Sequence, residues 1–137
     1  MRSTRTIVSL FSVALLASMA VPSSALAAET DLIAHLNSSS AYPAASGHSE
    51  YDSDTNGRDV EVTVTNITRL AGKQVTVYVS THKVGTMLVS STGRAHREWD
   101  TERGQTVPAA SVGSPVKVRT SSGTLVVSGK YHLDPDN

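Results

Sequence analysis

Three stretches of the chain place valine at every second position: "DVEVTVT" from Asp59 to Thr65, "QVTVYVS" from Gln74 to Ser80, and "PVKVRT" from Pro115 to Thr120. Successive side chains of an extended strand point to opposite faces, so this period of two describes strands with one buried and one solvated face. Valine is stiff at χ1 and fits a pleated surface, which strengthens the reading. Asp31 to Asn37 alternates more faintly through Leu32, Ala34 and Leu36. Further strands are expected at Gly47 to Tyr51, Thr86 to Ser90, Arg94 to Thr101 and Thr124 to Leu133.

Glycine-containing turn signals punctuate these strands at Asn56-Gly57, Ala71-Gly72, Thr92-Gly93, Arg103-Gly104, Val112-Gly113 and Ser122-Gly123. No sustained 3.6-residue repeat follows residue 30, so no crossover helix is available to support a parallel sheet. The expected fold is all-β, an antiparallel Greek-key β-sandwich of about eight strands. We read no internal repeat, and "SSSAYPAAS" at 38–46 as a connection between the first two strands. The expected core is Leu32, Leu36, Val60, Val62, Val64, Val75, Val77, Val79, Trp99, Val116, Val118, Leu125 and Val127.

The opening segment reads as an address. Arg2 and Arg5 precede the uncharged apolar run Thr6 to Val21, and Ala25 and Ala27 supply the small residues of a cleavage site. Residues 1–27 are therefore expected to be a signal peptide and 28–137 a single β-sandwich domain. The apolar run is shorter than the roughly 20 residues of a membrane span. A secreted, extracellular chain with no membrane insertion after signal cleavage follows. The chain has 12 basic and 12 acidic residues, and losing Arg2 and Arg5 leaves it slightly acidic, without a basic field for nucleic acid. Exported small domains often rely on disulfides, yet cysteine is absent, which leans towards a bacterial origin.

Several motifs invite a functional reading. In "DSDTNG", Asp52, Asp54, Asn56 and Gly57 match the first half of a helix-flanked calcium loop. The twelfth position, where a bidentate glutamate belongs, is Thr63, and neither flank is helical; Asn-Gly as a tight turn explains every residue. The five histidines, His35, His48, His82, His96 and His132, show no close ligand spacing. By alternation, His35, His96 and His132 lie opposite Leu36, Trp99 and Tyr131, towards solvent. No serine occupies a Gly-x-Ser-x-Gly elbow and no cysteine nucleophile exists, while Glu98 and Asp100 read as solubilising carboxylates. Trp99 is expected in the core. Tyr78, with parity opposite to Val77 and Val79, and Tyr42 are the candidates for a surface binding site.

The run "LAGKQVTVYVSTHKVGTMLVSSTGRAHREWDTERGQTVP", followed by "GSPVKVRTSSGTLVVSGKY", resembles small secreted Greek-key sandwiches of the prealbumin-like type. The likeness rests on Ala71-Gly72 before Val75, Val77 and Val79, on Gly85 and on Gly93, and covers residues 59–131. It departs at Ser90 to Gly93, where such modules carry an acidic residue beside the glycine. The opening "LIAHLNSSSAYPAASGHSEY", with Pro43 and Gly47 ahead of Tyr51, is similar to the start of the chordin-type secreted repeat. That repeat's histidine pair is missing here, so its ligand chemistry does not carry over. The expected function is an exported, non-catalytic module without cofactor, binding an extracellular protein or a polysaccharide or serving a structural role at the cell exterior. An exported metal-binding protein, using the histidines or the Asp52 to Asn56 loop, is the alternative. A small secreted hydrolase comes third.

Overall fold

The computed structural model describes residues 29–136, and the signal peptide expected over 1–27 lies outside the described residues. The strands are β1 (Thr30–Ser38), β2 (Ser46–Ser53), β3 (Arg58–Thr65), β4 (Gln74–Val79), β5 (His82–Leu88), β6 (Ala95–Asp100), β7 (Pro115–Thr120), β8 (Leu125–Lys130) and β9 (His132–Leu133). Short 3-10 turns at Thr68–Leu70 and Thr101–Arg103 are the helical elements among the described residues. None is long and apolar enough to cross a membrane.

Every described strand pairing is antiparallel, in agreement with the all-β expectation. The layering differs from two stacked sheets. Hydrogen-bonded pairing runs through a single sheet in the order β5-β4-β7-β8-β1-β2-β3-β6, with β9 on β1. β5 and β6, the two ends of this path, lie next to each other without a ladder between them, so the sheet wraps into a nearly closed barrel. Curling sets the two unpaired edges against each other, so that each partly covers the other.

The alternating valines fill the interior. Val60, Val62 and Val64, Val75, Val77 and Val79, and Val116 and Val118 are all fully buried, each contributing about 1.5–3 kcal/mol of apolar burial. Leu32, Ala34 and Leu36 enter from β1, and Trp99 from β6. Tyr51 and Tyr131 also point inward, with ring centroids 5.7 Å apart. Their hydroxyls are satisfied: Tyr131 shares a 2.7 Å hydrogen bond with the buried Ser49, and the Ala110 amide donates to Tyr51 at 3.2 Å. Burial pushes the Tyr131 phenol well above its ordinary pKa.

One strand expected over 124–133 is two. β8 pairs with the end of β1 through Asn37 and Ser38, whereas β9 pairs with its beginning through Leu32 and Ile33. Near the end of β8, Gly129 passes so close to the His35 carbonyl that a Cβ there would collide with it. A bulge opposite Val118 and Arg119 leaves Val126 unpaired, so Val126 and Val127 are both buried and Leu125 is only half-buried. The expected core position at Leu125 is thereby shifted by one residue. β5 starts earlier than expected because Ser80, at φ 57°, makes the turn from Val79 to His82 without a glycine to announce it.

A candidate binding face on the outer side of β1, β2, β3 and β6

The hairpin at the end of β2 is built as a turn. Asp54 Oδ1 accepts the amides of Asn56 at 2.7 Å and Gly57 at 3.2 Å, and the Asp54 amide donates to the Gly57 carbonyl at 3.0 Å. An aspartate folding back on its own backbone in this way is an Asx turn. Gly57 is needed for space more than for a left-handed conformation: its φ is 159°, and a Cβ would run into the Thr101 hydroxyl. Asp52 belongs to a different environment. It lies on the strand, directly opposite Asp31 on one side and Asp59 on the other. The residues matched to a calcium loop are thus divided between a turn and a sheet face.

That face is ordered in rows, because register carries outward side chains of neighbouring strands to the same level. His35, His48, Thr63 and His96 form one row across β1, β2, β3 and β6. Ile33, Glu50, Glu61 and Glu98 form the next. Asp31, Asp52, Asp59 and Asp100 form the third. His132 extends the glutamate row opposite Ile33, with its ring 6.0 Å from that of His35. The solvent-facing parity of His35, His96 and His132 agrees with the alternation, and His48 joins them, whereas His82 sits apart at the start of β5.

The electrostatics follow from this stacking of like charges. Partial burial, a hydrogen bond with Asp31 and the charges of Asp59, Asp31 and Glu50 push Asp52 up to about 7. Asp59 is also raised, first by burial and then by Glu98 and Asp100. Glu29, Asp31, Asp52, Ser53, Asp54 and Asp59 border an open concavity of about 370 Å³. At the β6 edge Arg103 pairs with Glu98 and lies 3.7 Å from Asp100. Asp100 also caps the following 3-10 turn by accepting the Glu102 amide at 2.8 Å. The basic residues Lys83, Lys117, Arg119 and Lys130 belong instead to β5, β7 and β8.

Glutamates 50 and 61 were not singled out from the sequence, yet a signal for the face is there. "HSEYD" at 48–52 and "HREWD" at 96–100 share the pattern His-x-Glu-aromatic-Asp, a short repeat that the expectation of no internal repeat overlooks. On both strands the aromatic residue, Tyr51 or Trp99, points inward and the other three outward. β3 lies between them and runs the opposite way as Asp59-x-Glu61-x-Thr63.

The tyrosine candidates are not brought together. Tyr42 packs against the core from the β1–β2 loop, beneath the Arg69 guanidinium at 4.5 Å, and borders a concavity of about 300 Å³ with Pro43, Asn66 and Arg69. Tyr78 is half-buried on β4, opposite Lys83 and Lys117, and is not part of that concavity. The serines and threonines of the turns serve the backbone: Ser90 Oγ accepts the Arg94 amide at 3.1 Å, and Thr120 Oγ1 accepts the Thr124 amide at 3.0 Å. Compared with models of protein families and with curated proteins, the chain matches none.

Proposed function

We propose that the protein is an exported, non-catalytic β module that holds a positively charged segment of an extracellular partner protein on the outer face of β1, β2, β3 and β6. The observation that carries this reading is the aspartate row, Asp31, Asp52, Asp59 and Asp100, set beside the glutamate row. Like charges directly across a sheet are destabilising, so folding alone gives no reason to stack them. A basic ligand removes the repulsion and is steered in by the summed field. None of the residues in the aspartate and glutamate rows is a lysine or arginine, and the cation paired with them is Arg103 at the β6 edge, which leaves the field unopposed over β1, β2 and β3.

Export rests on the leader-like segment 1–27, and cleavage after Ala27 is checked by sequencing the amino terminus of the protein recovered outside the cell. The kinship with prealbumin-like modules belongs to the same reading. What supports it is that β7 pairs with β4 and β4 with β5, so that counting the unladdered β6 as the neighbour of β5 would give the spatial order β7-β4-β5-β6 of a Greek key.

The binding reading is tested with immobilised protein and a lysine-rich peptide, using a glutamate-rich peptide of equal length as control. Binding of the basic peptide is expected, weakening at least tenfold between low salt and about 0.5 M salt as charges are screened. The double substitution Asp52→Asn with Asp59→Asn is expected to weaken it by a similar factor. Binding to a neutral polysaccharide that ignores both salt and the double substitution would overturn the reading.

A further inference from the structure

The two His-x-Glu-aromatic-Asp strands flank β3 symmetrically, so Glu61 is shared between a cluster with His48 and Glu50 and a cluster with His96 and Glu98. The two are not equivalent. On the β6 side the groups have protein partners: His96 Nδ1 is 2.8 Å from Thr63 Oγ1, its Nε2 is 3.4 Å from Glu61 Oε2, and Glu98 pairs with Arg103. On the β2 side one imidazole nitrogen of His48 and one carboxylate oxygen each of Glu50 and Glu61 lie within 4.8 Å of one another. Neither His48 nor Glu50 forms a side-chain hydrogen bond or ion pair with the described residues.

We propose that His48, Glu50 and Glu61 bind a divalent transition-metal ion of the zinc type. An imidazole with two carboxylates suits zinc, nickel or copper, whereas calcium and magnesium favour all-oxygen shells. Tetrahedral ligands about 2.0–2.2 Å from zinc are about 3.5 Å apart, a contraction within reach of exposed side chains on a fixed strand pair. His48 and Glu50 leave the same face of β2 two residues apart, and Glu61 is directly opposite Glu50, so the backbone register sets the triangle.

The support behind the third ligand is what separates this cluster from scattered surface carboxylates. His96 can donate Nε2–H to Glu61 while its Nδ1 accepts the Thr63 hydroxyl proton, and Thr63 is itself buried. Carboxylate ligands of metal sites are held in this way by outer hydrogen-bond partners. The cation also sits in a row where Glu50, Glu61 and Glu98 face one another, and it offsets their repulsion. The solvent side is open, bordered by His35, His48 and Glu50 around a concavity of about 350 Å³, so a fourth ligand is water or a donor from a partner.

This site lies on the face proposed for the basic partner but does not use the aspartate row, and the two separate experimentally. Zinc chloride titrated calorimetrically into the protein is expected to bind at one equivalent and to raise the melting temperature; calcium and magnesium chloride are the controls. His48→Ala and Glu61→Gln, both on the open face, are each expected to weaken zinc binding at least tenfold. His96→Ala, a change to a positioning residue, is expected to weaken it about tenfold, and His82→Ala to leave it unchanged. The double substitution Asp52→Asn with Asp59→Asn, which probes the peptide reading, is expected to retain zinc. Absence of zinc binding, zinc binding undiminished in His48→Ala and Glu61→Gln, or equal affinity for calcium overturns the proposal.

Discussion

Asp52 reverses the usual direction in which a carboxylate links pH to stability. Its folded-state pKa, up to about 7 from an ordinary 3.8, means that the folded protein keeps a proton which the unfolded chain has released over that interval. Stability on this account is greatest below about pH 4, falls as pH rises through the window, and carries the whole penalty above about pH 7. Asp52→Asn removes the ionisation. The variant is expected to be more stable than the parent at pH 8 by on the order of 1 kcal/mol, the figure being small because the side chain is exposed and screened by solvent. The difference should vanish near pH 4. Urea denaturation at the two pH values reads it, and a variant no more stable at pH 8 would show that the aspartate row costs nothing. At this scale the sequence was legible wherever alternation was undisturbed: Trp99 is buried, and His35, His96 and His132 are exposed. Leu125 was misplaced because a bulge, which leaves no mark in composition, moves Val126 into its place.

Among the elements, the β2–β3 hairpin was read correctly as a turn, although for a partly different reason than its glycine suggested. Its geometry depends on Asp54, whose carboxylate organises two backbone amides. Asp54→Ala is expected to destabilise the fold by about 1 kcal/mol, the net worth of such hydrogen bonds. Because the carboxylate is already engaged, millimolar calcium is expected to leave the melting temperatures of parent and variant unchanged. A calcium-dependent rise in the parent that is absent in Asp54→Ala would restore the calcium-loop reading. The Ser80 turn and the splitting of β8 from β9 were not legible, since one lacks glycine and the other is set by where each piece finds β1. The candidate face suffered from the same limit. Each strand shows which residues point outward, but only register shows that Glu50 meets Glu61 and that His48 meets Thr63 beside His96.

For the whole molecule, alternation established an all-β chain but not how the sheet closes, because period two separates inside from outside and is silent on which strands are neighbours. Closure depends on the ladder-free seam between β5 and β6. There Trp99 reaches from β6 to β5, where a Cβ on Gly85 would stand 2.5 Å from Nε1 and 2.9 Å from Cε2. Arg97 lies over the indole at 5.1 Å and donates to the Thr86 carbonyl at 2.9 Å, tying the two edges together. Trp99→Ala is expected to cost about 3–5 kcal/mol through the cavity it leaves. Gly85→Ala is expected to cost about 1–3 kcal/mol through overpacking against the indole ring. The two changes act on one contact, so they should not add: in a Trp99→Leu background, Gly85→Ala should cost at least about 0.5 kcal/mol less than in the parent. Denaturant melts followed by circular dichroism report the parent and all four variants on a common scale, which tryptophan fluorescence cannot do once the sole indole is gone. Strict additivity would mean that Gly85 and Trp99 do not form the seam, and that the barrel is held closed by β4 and β3 on either side of an open gap.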